Sequence, residues 1–146
     1  SLPRYASLTR YGASVAAVPR KAIIIRRSNI VYHYYDGLFY RPSGNQYIVV
    51  RPVVGVRLKT LPARHVKVMT PRGRYYYYYG NYYRQKGTTY EVVAAPKGAM
   101  VDALPEGYDV KEVDGTEYYV WNDTYYQEVD ADEFESGIGY EVVDLG

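Results

Sequence analysis

The sequence has no cysteine and no long apolar run, and each absence removes a class of protein. Without cysteine, neither a disulfide framework nor a thiolate metal site is available. A stretch such as "KAIIIRR" (21–27) is far shorter than the roughly 18 apolar residues of a membrane-spanning helix. We therefore expect no transmembrane span in this chain.

Histidine is also scarce, and no pattern typical of a catalytic site is present. His33 and His65 stand alone, whereas a zinc site needs three or four ligands. No serine or threonine lies in a nucleophile-elbow motif, and the acidic residues fall in predicted turns and on predicted exposed strand faces. The sequence thus predicts a protein that is not an enzyme and that uses no cofactor.

The acidic stretch "DADEFES" is a weak candidate for a metal site. Its carboxylates are those of Asp130, Asp132, Glu133 and Glu135, and Ca²⁺ favours clustered carboxylates. The stretch lacks the glycine and the regular alternation of a calcium-binding loop. This favours a solvated acidic insertion over a calcium site.

Tyrosine is what the sequence has in abundance: its 146 residues include 21 tyrosines, together with 13 glycines and 8 prolines. Aromatic side chains fit the pleated surface of a sheet, whereas glycine and proline interrupt helices. This composition predicts an all-β protein. At this length the chain can form one compact domain, or a few small units that share a continuous core.

A repeat of 43 residues organises the chain. The landmarks that recur at this spacing are Gly12, Gly55 and Gly98, then Pro19, Pro62 and Pro105, then the motifs "LFYR", "NYYR" and "TYYQ". We therefore divide the chain into a leader (1–11), unit 1 (12–54), unit 2 (55–97) and unit 3 (98–146). Unit 3 is longer than the others because an insertion near 130–139 precedes its "YEVV" strand.

Each unit is predicted to form an antiparallel meander of about four short strands. Its "GxxVxxLP" opening is either an edge strand or a single helical turn, and proline ends either one. The stretch "YDVKEVDGTEYYVW" (108–121) is typical of a hairpin, and a "YYR" strand and a "YEVV" strand complete the unit. Neighbouring units should pack together, since such repeats seldom bury their apolar face alone. A pseudo-threefold β-trefoil and a row of small SH3-like barrels are alternatives.

The stretch "RGRYYYYYGNYYRQKG" (72–87) places seven tyrosines around a corner marked by Gly80 and Asn81. On a strand, Tyr75, Tyr77 and Tyr79 would share one face, and the tyrosines between them the other. The strand then lies between two layers, or it has one face inside and one outside. Tyrosine suits both roles, because its ring packs in a core while its hydroxyl reaches a partner or water.

The small net charge of +2 conceals a strong segregation of charge between the units. Unit 1 has six basic residues and one acid, unit 2 has nine and one, and unit 3 has one and fourteen, which gives +5, +8 and −13. Unit 3 could pack against a basic unit of its own molecule, meet the basic units of a neighbour, or await another partner. Solvated surfaces without a specific role are the alternative.

The run from "YYYYYGNYYRQKGTTYEVVAAPKG" to "GAMVDALPEGYDVKEVDGTEYYVWNDTYYQ" resembles a family of exported bacterial proteins of unknown function. Members of that family carry tandem units with a Leu-Pro-x-Gly-Tyr turn, a tyrosine run, a Gly-x-Tyr-Tyr-Arg corner and a Tyr-x-Val-Val strand. The resemblance covers most of 47–146 and, more loosely, unit 1, where "AVPRKAIII" lacks the Gly-Tyr of the turn. It implies a periplasmic or outer-envelope location and no known activity.

These observations lead to two hypotheses about function. The first is a non-enzymatic structural or protein-interaction module of the bacterial cell envelope, with self-association through the basic units and unit 3. The second is a module that binds glycan or peptidoglycan by stacking sugars on exposed rings. Its candidate contacts are Tyr79, Tyr82, Tyr83 and Arg84 in unit 2, with Trp121, Tyr125 and Tyr126 in unit 3. We expect no nucleic-acid partner, because acidic unit 3 would repel a polyanion.

Overall fold

The fold consists of three five-stranded antiparallel sheets, one for each unit. A computed structural model describes residues 4–146, and these contain no helix, hence none that could cross a membrane. Unit 1 contains β1 (Ser14–Val15), β2 (Ile23–Arg27), β3 (Ile30–Tyr35), β4 (Leu38–Ser43) and β5 (Gln46–Val50). Unit 2 contains β6 (Arg57–Leu58), β7 (Val66–Thr70), β8 (Gly73–Tyr78), β9 (Asn81–Lys86) and β10 (Thr89–Val93). Unit 3 contains β11 (Met100–Val101), β12 (Asp109–Val113), β13 (Thr116–Trp121), β14 (Thr124–Asp130) and β15 (Ile138–Val143).

All three sheets have the same topology. In unit 1 the strand order is β1-β5-β4-β3-β2, and units 2 and 3 repeat this order with their own strands. Four strands form the meander, and the "GxxVxxLP" opening supplies a fifth, a two-residue edge strand beside the last one. The prediction of three tandem all-β meanders is confirmed. The sheets are separate and open, so they form neither a trefoil barrel nor closed SH3-like barrels.

The central hairpin of each unit turns on two residues with positive φ. In unit 1 these are Asp36 (φ 40°) and Gly37 (φ 99°), and in unit 2 they are Tyr79 (φ 46°) and Gly80 (φ 87°). Two successive positive φ angles are typical of a type I′ turn, whose twist matches that of the flanking strands. The prediction that Asn81 lies in this corner is wrong by one residue, because Asn81 already begins β9.

The sheets pack against one another, and both faces of the unit 2 sheet are covered by neighbouring units. We call the side that packs on the following unit the front face and the side that packs on the preceding unit the back face. In unit 2 the register places Tyr75, Tyr77 and Tyr82 on the front and Tyr76 and Tyr83 on the back. All five are buried, so the tyrosine-run strand lies between two layers.

Two apolar clusters hold the stack together. One joins the front of unit 1 to the back of unit 2 through Tyr32, Tyr34, Phe39, Leu58, Tyr76, Tyr83 and Val92. The other joins the front of unit 2 to the back of unit 3 through Val68, Tyr75, Tyr77, Tyr82, Val101, Tyr126 and Val142, and it extends to the back of unit 1. Tyrosine therefore supplies most of the volume of both interfaces. Because each buried ring removes a large apolar area from water, these interfaces dominate the stability of the fold.

The leader packs along the ends of all three units. The Tyr5 ring lies edge-on to Tyr78 at 5.5 Å, and the Tyr11 hydroxyl donates a 2.7 Å hydrogen bond to the carbonyl of Tyr79. The Arg4 guanidinium pairs with Asp102 of unit 3 at 3.0 Å. The leader had no predicted structure, and residues 1–3 of it lie outside the described part of the chain.

Candidate interaction surface

One contact between units occurs twice, displaced by one repeat. Gly37 of unit 1 lies against the ring of Tyr78 and against Pro62, both in unit 2. Forty-three residues later, Gly80 of unit 2 lies against Trp121 and Pro105 of unit 3. In both places a β-carbon on the glycine would enter the facing ring. The 43-residue repeat therefore specifies how one unit packs on the next, as well as the fold of each unit.

Hydrogen bonds cross the same interfaces, at part-buried or buried positions between units 2 and 3 and at an exposed position between units 1 and 2. The Tyr77 hydroxyl donates to the carbonyl of Ala103 at 2.6 Å, and the hydroxyls of Tyr82 and Tyr126 share a hydrogen bond of 2.8 Å. Between units 1 and 2, the Asp36 carboxylate accepts a 2.8 Å bond from the amide of Ala63. Buried hydroxyls need such partners, because an unpaired one loses its bonds to water without replacement.

Burial also fixes the protonation of these tyrosines. Removal from water raises the pKa of Tyr5 to about 12, because desolvation disfavours the phenolate. The same cause raises the pKa of Tyr82 well above its ordinary value, and the neighbouring Tyr126 adds to it. Tyr5 and Tyr82 are thus neutral hydrogen-bonding groups at physiological pH.

The front face of unit 3 is partly exposed, although Val120 at its centre is buried and lines a cleft with Val49 of unit 1. On this face of unit 3 the register places Tyr118, Val120 and Tyr125, one repeat after Tyr75, Tyr77 and Tyr82. The unit 2 residues are buried by unit 3, whereas Tyr118 and Tyr125 are partly exposed. The two exposed rings meet edge to face at 6.1 Å, and the Lys111 ammonium lies 6.0 Å from the Tyr125 ring.

The back face of unit 1 is apolar, with an exposed margin and a buried centre. Ile24 is 46 % exposed, and Tyr35 is 41 % exposed. His33 and Tyr47 are half-buried, with their rings edge-on at 5.0 Å. The back face also includes Tyr40, which is buried within an apolar cluster. The exposed parts of these two faces therefore carry aromatic residues of the kind that form the internal interfaces.

The acidic charge of unit 3 is largely unpaired within the molecule. Among residues 4–146, the ion pairs that reach unit 3 come only from the leader: Arg4 with Asp102 at 3.0 Å and Arg10 with Glu106 at 3.8 Å. Units 1 and 2 form no ion pair with unit 3 in this described region. Arg51 of unit 1 does reach the Asn122 side chain, which is neutral. Most of the fourteen carboxylates of unit 3 therefore lie without a cationic partner.

Two clefts border unit 3. A cleft of about 650 Å³ lies between unit 3 and the last strand of unit 1, and Tyr11, Arg51, Asp109, Lys111, Trp121, Asn122 and Asp123 are among its lining residues. A second, of about 730 Å³, is lined by Arg4, Arg64, Asp102, Glu106, Tyr108, Glu133 and Glu135 among others. Both clefts mix charges of the two signs, and the first also includes the single tryptophan.

Four of the seven predicted contact residues are buried. These are Tyr79, Tyr82, Tyr83 and Tyr126. They are packing residues of the interfaces, and a sugar cannot stack on them while the units remain together. Tyr79 was predicted to lie on a strand face, but it lies in the turn after β8. Trp121, Tyr125 and Arg84 retain partial exposure.

The three partly exposed residues differ in how far their side chains are already engaged in contacts within the protein. Arg84 is already held within unit 2, because its guanidinium donates to the Tyr75 hydroxyl at 2.7 Å and to the Arg72 carbonyl at 2.8 Å. Trp121 has Gly80 on one side and the Tyr11 ring at 5.2 Å. Tyr125 lies on the open front face. Sequence reasoning missed its neighbour Tyr118, although the repeat relates Tyr118 to the buried Tyr75.

The weak calcium candidate is not supported by the geometry. Asp130 ends β14, whereas Asp132, Glu133 and Glu135 lie in the loop that follows. Within residues 4–146 no three such side chains come close enough together to hold a metal ion.

The fold and its surfaces define an all-β repeat protein, with three open sheets packed against one another and a strongly acidic third unit. The chain belongs to a family of unknown function, DUF6515, which matches residues 4–146. Comparisons with curated proteins and with solved structures gave no match.

Proposed function

We propose that this protein is a non-enzymatic structural or protein-interaction module of the bacterial cell envelope, which acts through stacked tyrosine-rich sheets and segregated charge. The observation that carries the proposal is the unpaired acidic charge of unit 3 in the same stack as two basic units. The partly exposed rings of Tyr118 and Tyr125 on unit 3 and of Tyr35 on unit 1 support it. The resemblance to exported bacterial proteins supports the envelope location.

The physical argument for an interaction role is that many like charges on one unit produce an electrostatic potential that acts beyond direct contact. Isolated exposed ion pairs contribute only about 0–1 kcal/mol each, so scattered charges would do little. A unit with a charge of −13 beside one of +8 is a different case. Many like charges on one unit sum to a potential that steers a partner of opposite charge and orients it before contact. Such steering weakens as salt shortens the Debye length, which is about 10 Å at 0.1 M.

The proposal predicts binding to charged partners despite the net charge of only +2. The full chain should bind immobilised polylysine through unit 3 and immobilised polyglutamate through units 1 and 2. Both signals, measured by biolayer interferometry, should fall steeply between low salt and 0.5 M salt. Light scattering should show self-association at low ionic strength that reverses with salt. A protein that stays monomeric and binds neither polymer at low salt would refute the proposed function.

Glycan binding is a second candidate, and the cleft between units 1 and 3 favours it. Trp121 and Tyr11 contribute aromatic surface to this cleft, and Asp109, Asn122 and Asp123 contribute the carboxylates and amide that hydrogen-bond sugar hydroxyls. Soluble peptidoglycan fragments should then quench or shift Trp121 fluorescence. If Trp121 emission does not change at millimolar fragment while the polymers still bind, this second candidate is excluded and the interaction module stands.

A further inference from the structure

We infer that β2, the outer strand of unit 1, is a docking edge for an extended acidic segment of a partner protein, which adds a strand to this sheet. The inference rests on the proposed function and names the element and the partner chemistry of unit 1. β2 ends the strand order of its sheet and pairs only with β3. Within residues 4–146, no other part of the chain forms a backbone hydrogen bond with 23–27. The outer N–H and C=O groups of such a strand can pair with an added strand.

The three equivalent outer strands differ in how well this edge is protected. β12 has charged side chains at Asp109, Lys111 and Glu112, and charge on an edge strand opposes pairing with another strand. β7 has Lys67, and β11 of unit 3 packs against it. β2 begins instead with three isoleucines in succession. The first three positions of this edge therefore carry no charge that would keep another strand away.

The isoleucines of β2 are exposed on both sides of the strand. Ile23 and Ile24 point to opposite faces, and they are 54 % and 46 % exposed. Such β-branched residues favour extended backbone and pack well against a neighbouring strand. An added strand would remove part of this apolar surface from water on both faces.

Charge complementarity selects an acidic partner segment. Four exposed cations flank the isoleucines, with Arg20 and Lys21 before them and Arg26 and Arg27 after them. None of the four forms an ion pair within the described residues. A segment with an apolar centre and carboxylates at both ends matches this pattern in either strand direction.

The position of β12 favours a different protein over a second copy as the partner. β12 is the acidic outer strand of this chain, so it is the segment that a second copy would offer. Its Asp109 and Lys111, however, line the cleft between units 1 and 3 of their own molecule. The lysine within this strand also opposes a basic edge.

Fluorescence anisotropy of a labelled peptide, titrated with the full chain at low salt, tests this inference. The probe is Asp-Glu-Val-Thr-Val-Asp-Glu with blocked ends, and the same peptide with lysine in place of each acid is the charge control. The acidic peptide should bind, and the basic peptide should not. A version of the acidic peptide that is N-methylated at its central Val-Thr-Val keeps its side chains and charge. It should lose the binding, because it cannot donate the backbone hydrogen bonds of an added strand.

Two variants of the protein locate the docking edge. Ile24→Asn should weaken the binding by about fivefold, because it removes an apolar cross-strand contact without a change of charge. Val110→Asn is the matched control, since Val110 holds the position of Ile24 in β12 and is 53 % exposed. This control should bind within about twofold of the wild type. Circular dichroism establishes that each variant is folded, and Ile23→Asn replaces Ile24→Asn if the latter unfolds.

Three results would overturn the inference. They are equal binding of the N-methylated peptide, equal affinities of Ile24→Asn and Val110→Asn, and an acidic peptide that does not bind. If the peptide does not bind and Ile24→Asn abolishes self-association of the chain, the edge pairs with a second copy instead. Salt-sensitive binding to polyglutamate and polylysine in any of these cases leaves the proposed function intact, because that binding does not require strand addition.

Discussion

Substitution of Gly80 by alanine tests the interface between units 2 and 3 at its tightest point. A β-carbon at this position would lie 3.0 Å from the Cγ of Pro105, and closer still to the indole nitrogen of Trp121. Gly80 also has a φ of +87°, a conformation that L residues rarely adopt. Gly80→Ala therefore adds backbone strain and a steric clash in one step.

The two costs have separate magnitudes. A residue with a side chain in the left-handed region is destabilised by about 1–2 kcal/mol relative to glycine. Insertion of a methyl group into a packed interface typically costs another ~1–3 kcal/mol, because the facing ring must move off its preferred rotamer. The expected decrease in the free energy of unfolding is thus about 2–5 kcal/mol for the pair of effects. That is a large part of the stability of an ordinary small domain.

Urea unfolding followed by Trp121 fluorescence provides the assay, because this single tryptophan is the residue that the new methyl group contacts. Gly115→Ala is the matched control: Gly115 has a φ of +81°, and a β-carbon there would meet open space, with no atom of another part of the chain within 4 Å. Gly115→Ala therefore introduces the backbone strain without the steric clash. If Gly80→Ala destabilises the protein no more than Gly115→Ala, and Trp121 emission in the folded state is unchanged, the docking geometry described for this interface is wrong.

Two further predictions concern the buried tyrosine hydroxyls. Tyr82→Phe should reduce the free energy of unfolding by about 1–3 kcal/mol, because it leaves the buried Tyr126 hydroxyl unpaired. Tyr83→Phe is the control. It should be neutral or stabilising, since the buried Tyr83 hydroxyl has no hydrogen-bond partner within the described residues. Equal decreases in the free energy of unfolding for the two variants, measured by urea unfolding, would contradict this prediction. Stability should also fall as the pH rises from about 10 towards 12, because the folded-state pKa of Tyr5 is raised to about 12 and the neutral ring favours the fold below that range. Unfolding that precedes any rise in tyrosinate absorbance would argue against this cause.

Much of the fold could be predicted because its determinants are local. Gly55, Pro62 and their equivalents recur at one spacing, and turn residues such as Gly37 and Gly80 separate runs of β-forming residues. A fixed spacing of turns and strands specifies a repeated meander without any knowledge of tertiary contacts. The edge strand was left open in the prediction, because two residues carry too little pattern to distinguish a strand from a turn.

The packing of the units could not be predicted from the sequence, since tyrosine occupies both faces of the central strands. Tyr76 and Tyr77 look alike in the sequence, yet one faces unit 1 and the other faces unit 3. Binary patterning fails where both faces are aromatic, and tyrosine is compatible with a core and with a surface. For the same reason Tyr82, Tyr83 and Tyr126 were predicted as ligand contacts although they are buried.

Comparison of the three equivalent turns distinguishes unit 3 from units 1 and 2. Gly37 and Gly80 permit close packing on the next unit, whereas Asp123 in unit 3 carries a charged side chain at the same place. Unit 3 also concentrates the acidic residues, so a neutral apolar sheet would meet a charged and incompletely apolar face. If the proposed function holds, the charge that sets unit 3 apart favours a basic partner for this unit, and the binding weakens as the salt concentration rises.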